Sequence, residues 1–248
     1  MWTRELIKSR AKEVLKITYW KSFLVSLVVL FAGGRNFRWN RNIDNGPRYY
    51  SDSIPGKLFY LYDEILIFLA SIIIILIILR ILIGYVLEVN SQKYFISASK
   101  GDVTLAYLGF GFKDGRYFDI VVTMFLRSLY NFLWTLLLII PGIVKYYSYR
   151  MVPYILADNP NIGHSRAIQL SMQMTDGEKF NIFILELSFI GWYILGLLAL
   201  GVGVLFVNPY ADATYAELYL VLRENAINNG QTSYSELNLD ESLNYAEY

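Results

Sequence analysis

One uninterrupted apolar run limits what this chain can fold into. Residues 65–79 contain no charged side chain and a single hydroxyl group, that of Ser71. If the run continues as a helix to Leu87, it covers about 34 Å at 1.5 Å per residue, which is enough to cross the hydrocarbon core of a bilayer. The run therefore predicts a transmembrane helix over 65–87, with Arg80 near its far end.

The composition agrees with a membrane location for much of the chain. Of the 248 residues, 55% are hydrophobic and only 17% are charged, and the mean hydropathy is +0.37. A soluble domain needs more charged residues to cover its surface, which argues against a soluble enzyme. The formal net charge of +1 gives no overall basicity that would attract nucleic acid. Because the chain has no cysteine, disulfides and zinc–thiolate sites are excluded.

Two further runs are long and apolar enough to be transmembrane helices. The first covers 120–140 and is closed by Pro141-Gly142, a pair that stops or kinks a helix. The second covers 182–200 and is followed by the glycine-rich turn 201–203. With 65–87, these runs predict three spans from hydropathy alone.

Three weaker segments determine the number of spans. They lie at 17–34, 143–157 and 204–222; the first is short, and the other two contain charged residues. Each of the last two begins directly after a break that ends a clear span, which favours a helical hairpin. We therefore expect an all-α fold, a polytopic transmembrane helix bundle of about six spans with amphipathic surface helices. A single integral membrane domain would cover 1–222, and an acidic cytoplasmic tail would cover 223–248.

The distribution of Lys and Arg favours a cytoplasmic N-terminus. The four pieces predicted to be cytoplasmic hold 13 of these residues, against 5 in the long outside loop 33–57, as the positive-inside rule expects. We therefore expect a multi-pass protein of the cell membrane with both termini in the cytoplasm. The loop 33–57 nevertheless has a net charge of +3, so the alternative stays open that the first segment dips into the membrane and returns.

The first 21 residues predict an amphipathic helix that lies on the membrane surface. Its apolar side repeats at helical spacing through Ile7, Ala11, Val14, Leu15 and Thr18. The residues expected to bind the membrane surface are Trp2, Lys8, Arg10, Lys12 and Lys16. The alternative is a signal peptide, with 23–31 as its apolar region and 32–34 as the small residues at a cleavage site.

Two more segments are expected on the cytoplasmic side. Residues 161–177 predict a second surface helix that stops at Asp176-Gly177. The tail 223–248 has more acidic than basic residues and few apolar ones, so it predicts a mobile extension.

Ionisable residues within the predicted spans are the best indication of function, because a charge in hydrocarbon persists only if it is paired, hydrated or close to the headgroups. Six such residues fall at similar depths in the cytoplasmic half of the bundle: Arg80, Arg127, Arg150, Glu186, Asp212 and Glu217. We expect a polar network in which Arg127 and Arg150 pair with Glu186 and with Asp212 or Glu217. Asn131 and Asn208 would assist it. The network either locks the helices together or lines a polar cavity for a headgroup, an ion or a peptide.

Motifs of soluble enzymes are absent from the sequence. His164 is the only histidine, so no H-E-x-x-H metal site is present. Gly109-Phe110-Gly111 is a bare G-x-G within aromatic residues, which is typical of a turn. We therefore expect no catalytic residues, no metal and no cofactor.

Several short phrases along the chain resemble a known family when taken together. They are Glu5-Leu6-Ile7-Lys8 with Tyr19-Trp20-Lys21, Pro141-Gly142-Ile143-Val144-Lys145 with Tyr147-Ser148-Tyr149, Tyr154-Ile155-Leu156-Ala157-Asp158-Asn159-Pro160, Ala167-Ile168 with Leu170-Ser171-Met172, Leu187-Ser188-Phe189-Ile190-Gly191-Trp192, and Val207-Asn208-Pro209-Tyr210. In this order they resemble the bacterial integral-membrane family called domain of unknown function 975. Residues 141–177 are also similar, more loosely, to the membrane domain of some glycerophosphodiester phosphodiesterases. The first resemblance implies a membrane protein without an established activity, and the second implies a helper module without a catalytic centre.

These observations lead to two expected functions. The first is a non-enzymatic accessory or regulatory membrane protein that binds a membrane protein partner or an anionic lipid within the lipid bilayer. The second is a small transporter or lipid-handling protein whose path runs through the charged residues of the cytoplasmic half.

Overall fold

The computed structural model describes residues 3–31, 56–113, 115–198 and 201–239, and every regular element along them is helical. The α-helices are α1 (Arg4–Phe31), α2 (Gly56–Leu79), α3 (Tyr85–Ser99), α4 (Arg116–Leu137), α5 (Ile139–Ser148), α6 (Val152–Asp158), α7 (His164–Met174), α8 (Lys179–Leu198) and α9 (Gly203–Asn228). A π-helical segment, Arg80–Gly84, joins α2 to α3, and a 3₁₀ helix covers Leu105–Phe112. The expected all-α fold is therefore confirmed for the described residues.

Three stretches are long and apolar enough to cross a membrane: Phe68–Ser99, Arg116–Leu137 and Lys179–Leu198. They coincide with the three spans that hydropathy predicts most clearly. Exposed large apolar side chains concentrate along them, as in residues 72–79, each of which is 37–58% exposed. Apolar surface of this extent is stable in contact with lipid or with another apolar surface.

The long helix that contains the first stretch continues beyond the predicted end of its span. The sequence places that end at Leu87, but α3 extends the helix to Ser99, with most of its side chains buried. A hydropathy pattern ends where polar residues begin, whereas this helix continues because α1, α6 and α9 pack around it. Residues assigned to a cytoplasmic loop from 88 onward thus lie in the helical core.

The hairpin between α4 and α5 turns earlier than the sequence predicts. The chain leaves helical geometry at Leu138, with φ −155° and ψ 137°, and not at Pro141-Gly142. Pro141 lies in the first turn of α5, where its missing N–H costs no hydrogen bond. Gly142 packs directly on α4, since a Cβ at this position would lie 2.6 Å from the Thr135 Cα.

We expect Gly142→Ala to destabilise the protein by about 1–3 kcal/mol. The added methyl group would meet the α4 backbone and force the two helices of the hairpin apart. The matched control is Gly191→Ala in α8, where no atom lies within 4 Å of the added Cβ; it should be neutral or stabilising, because alanine favours a helix. Thermal unfolding of both variants in the same detergent measures the difference, and equal melting temperatures would contradict the predicted close approach.

The predicted span 143–157 is not one continuous helix. It is split into α5 and α6 by the turn at residues 149–151, and every residue of α6 is buried. No break is apparent in the sequence here, because tyrosines and apolar residues continue through the turn. The predicted span 204–222 lies within α9, which includes Pro209 in its interior and buries most of its residues between Asn208 and Tyr219. Six membrane crossings are therefore not established by the described residues.

The first helix is not a separate surface helix. The predicted apolar side of α1 faces the bundle, since Ile7, Ala11 and Leu15 are buried and α1 packs along α9 and α3. The apolar periodicity of α1 therefore identifies the side that is buried. This side packs against other helices of the protein and not against the membrane surface. The predicted span 17–34 falls only partly within the described residues.

Two cytoplasmic predictions are also revised. The second predicted surface helix forms as α7, but Ala167, Leu170 and Met174 are buried against the rest of the protein, and α7 packs on α4 and α6. The tail does not begin as a free extension, since α9 continues to Asn228 and Leu237 is fully buried. The last part of the tail, 240–248, lies outside the described residues.

Candidate functional site

A buried carboxylate joins two arginines at the junction of α2, α3 and α4. Glu88 on α3 is 5% exposed. Its Oε2 lies 2.6 Å from Arg80 Nη2, and its Oε1 lies 3.1 Å from Arg127 Nη1. The Arg80 guanidinium also lies 4.9 Å from the centre of the Tyr85 ring. One carboxylate therefore holds the end of α2, the start of α3 and the middle of α4 together.

A second ion pair joins the turn between α5 and α6 to α8. Arg150 Nη1 lies 3.5 Å from Glu186 Oε1, and the Tyr147 hydroxyl donates to Glu186 Oε2 over 2.7 Å. The guanidinium donates to the Tyr146 hydroxyl and lies 4.1 Å from the centre of the Tyr215 ring on α9. Two tyrosine rings and a carboxylate thus enclose this arginine, so its charge is used to connect three parts of the bundle.

The observed pairing differs from the predicted network in its partners. Arg150 and Glu186 lie in contact, as the hypothesis has it, but Arg127 pairs with Glu88 and not with Glu186, Asp212 or Glu217. The sequence missed Glu88 because the residue follows the last apolar position of the predicted span. Its position within the continuing helix becomes apparent only when the packing around α3 is known.

The remaining predicted members of the network lie on α9 and α4. Asp212 is buried and accepts a hydrogen bond of 2.7 Å from Ser26 Oγ on α1. Asn208 and Glu217 are buried on the same helix. Within the described residues, the buried Asn131 Oδ1 has no hydrogen-bond partner. Asp212 therefore stabilises the contact of α9 with α1 rather than the ion pairs of Arg127 and Arg150, its predicted partners.

A third charged group, absent from the sequence-based hypothesis, lies where α3, α6 and α9 meet. We call it the Asp158 cluster; it consists of Lys93, Asp158, Tyr219 and Arg223. Asp158 Oδ2 accepts hydrogen bonds of 2.8 Å from the Tyr219 hydroxyl and from Arg223 Nη1, and its Oδ1 lies 3.8 Å from Lys93 Nζ. The Asp158 side chain is 1% exposed. The signal that could have identified it is a carboxylate that directly ends an apolar run, although nothing in the sequence names its partners.

The basic residues predicted to bind the membrane surface divide into two groups. Lys8 Nζ donates to Ser188 Oγ over 2.7 Å and lies 4.5 Å from the centre of the Phe189 ring, and Lys12 lies 5.8 Å from the Tyr210 ring. Both therefore contact α8 or α9. Lys16 is exposed and Arg10 is half-buried, while Trp2 lies outside the described residues.

The segment after α9 is tied to α7 by one ion pair. Arg166 Nε lies 2.6 Å from Glu236 Oε1, and Arg166 Nη2 donates to the Gln231 carbonyl and to Glu236 Oε2. Asn159 Nδ2 adds a hydrogen bond of 2.8 Å to the Glu236 carbonyl. Hydrogen bonds from the Arg166 guanidinium hold the pKa of Glu236 below its ordinary value.

Acidification should weaken the contact between the segment after α9 and helix α7. Because the folded-state pKa of Glu236 is lowered, its contribution to stability is present above the unfolded pKa of about 4.3 and is lost as the pH falls through the folded value. Both side chains are partly exposed, so we expect less than about 1 kcal/mol. A fluorophore on Ser235→Cys should gain mobility on acidification, and Glu236→Gln should flatten that pH dependence. An identical pH profile in the Glu236→Gln variant would assign the change to other groups.

A groove lies beside the ion pair of Arg80 and Glu88. It lies between α2 and α4, has a volume of about 530 Å³, and is lined by Ile73, Leu76, Ile77, Arg80, Ile81, Tyr85, Phe125, Ser128, Leu129 and Phe132. Among the described residues, no group of three or more His, Cys, Asp and Glu side chains could hold a metal ion. Arg80 thus belongs both to the ion pair with Glu88 and to the wall of an apolar groove.

Two features indicate the class of this molecule. Its helices expose continuous apolar surface, and ion pairs between helices hold charged side chains in the interior. It is an all-helical protein in which three helices are long and apolar enough to cross a membrane. Residues 136–226, from the end of α4 to the last turns of α9, match the family model described as Protein of unknown function (DUF975). This segment is therefore similar to the DUF975 family.

The family match confirms the main resemblance predicted from the sequence. It covers a shorter part of the chain than the phrases on which the resemblance was based. The N-terminal phrases, such as Glu5-Leu6-Ile7-Lys8, lie outside the matched residues. The comparisons do not show the looser similarity to the membrane domain of glycerophosphodiester phosphodiesterases. No curated protein and no solved structure matches the chain.

Proposed function

We propose that this protein is a non-enzymatic accessory or regulatory protein of the membrane, which binds a membrane protein partner or a lipid. The single observation that carries this proposal is the exposure of residues 72–79 of α2. A membrane helix packed into its own bundle buries one side, but these eight consecutive residues are exposed around the whole helix. That surface supports contact with lipid and with the helix of another protein.

The buried charges support the non-enzymatic part of the proposal. Glu88 and Asp158 are buried, and each accepts a hydrogen bond from an arginine on another part of the fold. Glu186, which is partly exposed, lies 3.5 Å from Arg150. Removing one partner of such a pair is costly, so these carboxylates are suited to holding helices in register. They act as the connections of a scaffold whose apolar outer surface remains available.

Photocrosslinking on α2 tests the partner. A benzophenone amino acid at Ile75 or Ile78, both about half exposed, should give a discrete protein adduct in the native membrane. The matched control at Ile155, which is fully buried, should give none. The adduct must contain the same protein that accompanies the tagged chain in stoichiometric amount after detergent-free extraction. Lipid adducts alone at both exposed positions would reject a protein partner and favour the second function below.

A specific observation favours lipid handling as the second candidate function. The α2–α4 groove combines a mostly apolar wall with the charged side chain of Arg80. A lipid has the same arrangement, with an apolar chain attached to a charged headgroup. In this function the protein would bind a lipid from the surrounding bilayer without acting on it chemically.

We also propose the six-span topology with both termini in the cytoplasm of a bacterial cell. It is supported by the hairpins α4–α5 and α8–α9, whose connecting ends carry exposed apolar residues at 136–140 and 194–198. Gly203 seals the second hairpin, since a Cβ there would lie 2.6 Å from the Gly196 Cα. Segments of α1, α5–α6 and α9 would then cross the membrane beside the three clear spans.

Single cysteines in this cysteine-free chain test the topology. A membrane-impermeant maleimide should label Ser51→Cys in intact cells and Ser235→Cys only after lysis. Ser235 is exposed, so the control position is chemically accessible once the membrane is opened. Labelling of Ser51→Cys only after lysis would place the loop 33–57 inside and overturn the six-span topology.

A further inference from the structure

The chain after α9 forms a turn whose two ends are closed by its own residues. Ser233 Oγ accepts a hydrogen bond of 3.1 Å from the Glu236 N–H, which is one half of a capping box. At the other end Asn238 adopts the left-handed conformation, with φ 53°, which is typical of the residue that ends a helical turn. We call residues 231–239 the C-terminal strap.

One glycine joins the C-terminal strap to α9. Gly230 has φ 68°, a conformation that residues with a side chain rarely adopt. The last turn of α9 is closed at this point, since the Gln231 N–H donates to the Ala226 carbonyl over 2.9 Å. The strap can therefore leave α7 without unwinding α9.

The C-terminal strap contacts α7 and the end of α6 as a bound peptide would. The Glu236 carboxylate accepts hydrogen bonds of 2.6 Å from Arg166 Nε and 2.9 Å from Arg166 Nη2. The main-chain carbonyls of Gln231 and Glu236 accept from Arg166 and from Asn159 Nδ2, respectively. Leu237, directly after the glutamate, is fully buried. One carboxylate, one leucine and two carbonyls are a usual set of anchors in peptide recognition.

These contacts are weak enough to exchange. The Arg166 and Glu236 side chains are 29% and 30% exposed, and ion pairs open to solvent contribute little to stability. Leu237 is the one fully buried apolar side chain of the C-terminal strap. A second chain that presents the same two side chains could therefore replace the strap.

The surface and its occupant lie in different parts of the sequence. Asn159 and Arg166 fall within the residues that match the family model, 136–226, whereas Glu236 and Leu237 follow the end of the match. The docking surface thus belongs to the matched segment, and the C-terminal strap does not.

We propose that the surface around Asn159 and Arg166 docks an acidic peptide of a partner protein, and that the C-terminal strap fills this surface until the peptide displaces it. The peptide presents a glutamate followed directly by a leucine, because Glu236 and Leu237 are the strap residues that anchor it. Arg166 recognises the glutamate. This inference rests on the proposed accessory function and adds the surface that binds a partner and the chemistry of that partner.

Binding of a separate strap peptide tests the surface. The probe is a fluorescein-labelled peptide of residues 231–239, and the receptors are the unmodified full chain and its Leu237→Ala variant in nanodiscs. The variant should bind the probe roughly tenfold or more tightly than the unmodified chain, because an intact tethered strap competes at an effective concentration of about millimolar. A probe with Glu236→Gln and Leu237→Ser should bind neither chain. Equal binding by the two chains, or of the two probes, would overturn the proposal.

Substitutions in the Leu237→Ala chain test the recognition of the glutamate. Arg166→Gln should weaken binding of the probe roughly tenfold or more, as expected for loss of a charge-assisted hydrogen bond. Lys16→Gln, which removes an exposed cation from α1, should leave binding unchanged. Undiminished binding after Arg166→Gln would reject the docking site. If Leu237→Ala fails to fold, Glu236→Gln, which retains the leucine, replaces it in both measurements.

Two further outcomes concern the occupant. In the otherwise unmodified chain, a fluorophore on Ser235→Cys should gain mobility when excess unlabelled probe is added and not with the substituted probe; the same response to both would contradict displacement. A mixed dimer of unmodified and Leu237→Ala chains in native mass spectrometry would assign the surface to a second copy and overturn the choice of a partner protein. None of these results depends on the crosslinking at Ile75 and Ile78, so the accessory role is tested separately.

Discussion

Asp158→Asn should lower the free energy of unfolding by about 3–5 kcal/mol, the usual effect of removing one member of a buried ion pair. The substitution keeps the size of the side chain but removes its charge. Lys93 and Arg223 would then face each other at the junction of α3, α6 and α9 without the carboxylate that both now contact. Reversible unfolding by sodium dodecyl sulfate in mixed micelles measures the change.

The control for this prediction is an ion pair of the same type on the surface. Asp176 lies 2.8 Å from Lys179, but its side chain is 81% exposed. Asp176→Asn should therefore leave the free energy of unfolding almost unchanged. If the two substitutions had similar effects, the Asp158 cluster would not be a buried connection between the three helices.

Glu88→Gln is the second substitution with a large expected effect, again about 3–5 kcal/mol. It leaves Arg80 and Arg127 close together and removes the charge of the carboxylate that contacts both of them. Loss of stability should accompany separation of α4 from the α2–α3 helix. Unfolding in mixed micelles gives the magnitude, and a crosslink between cysteines at Val86 and Ile120 would report the separation.

A double-mutant cycle identifies the cause. Glu88→Gln combined with Arg127→Gln should be less destabilising than the sum of the two single substitutions, because the double variant removes one of the two cations that Glu88→Gln leaves without that carboxylate. Contacting residues normally show such non-additivity. Strict additivity would indicate that Glu88 and Arg127 act independently, contrary to their separation of 3.1 Å.

Much of the fold could be predicted from the sequence because hydrophobicity is a local property. The runs 65–87, 120–140 and 182–200 each overlap one of the three stretches able to cross a membrane. The segment 161–177, predicted to be helical, contains the helix α7. In each case the necessary information lies within a single segment.

The candidate site could be predicted only in part because its contacts join distant segments. Arg150 and Glu186 were both identifiable as charges within apolar runs, and they lie in contact. Glu88, Lys93 and Arg223 were assigned to cytoplasmic pieces because polar residues surround them. Their burial results from the packing of α3 against α6 and α9, which no local pattern encodes.

The amphipathic N-terminus illustrates the same difference. Ile7, Ala11 and Leu15 identify the buried side of α1, but an apolar side has the same spacing whether it meets lipid or protein. In the structure it packs along α9, and Lys8 reaches Ser188 on α8. The choice of neighbour could not be derived from periodicity.

From the residues alone it follows that this chain is helical, that three of its segments are apolar enough to cross a membrane, and which of its charges lie among apolar residues. These properties depend on composition and on the helical repeat, both of which can be read within one segment. The packing of the helices was needed to see that Glu88 joins Arg80 to Arg127, that Asp158 joins α3, α6 and α9, and that α2 and α4 form a groove lined in part by Arg80. The physical reason is that a buried charge takes whichever partner the packing of helices brings within hydrogen-bonding distance, and that packing depends on all of the segments together.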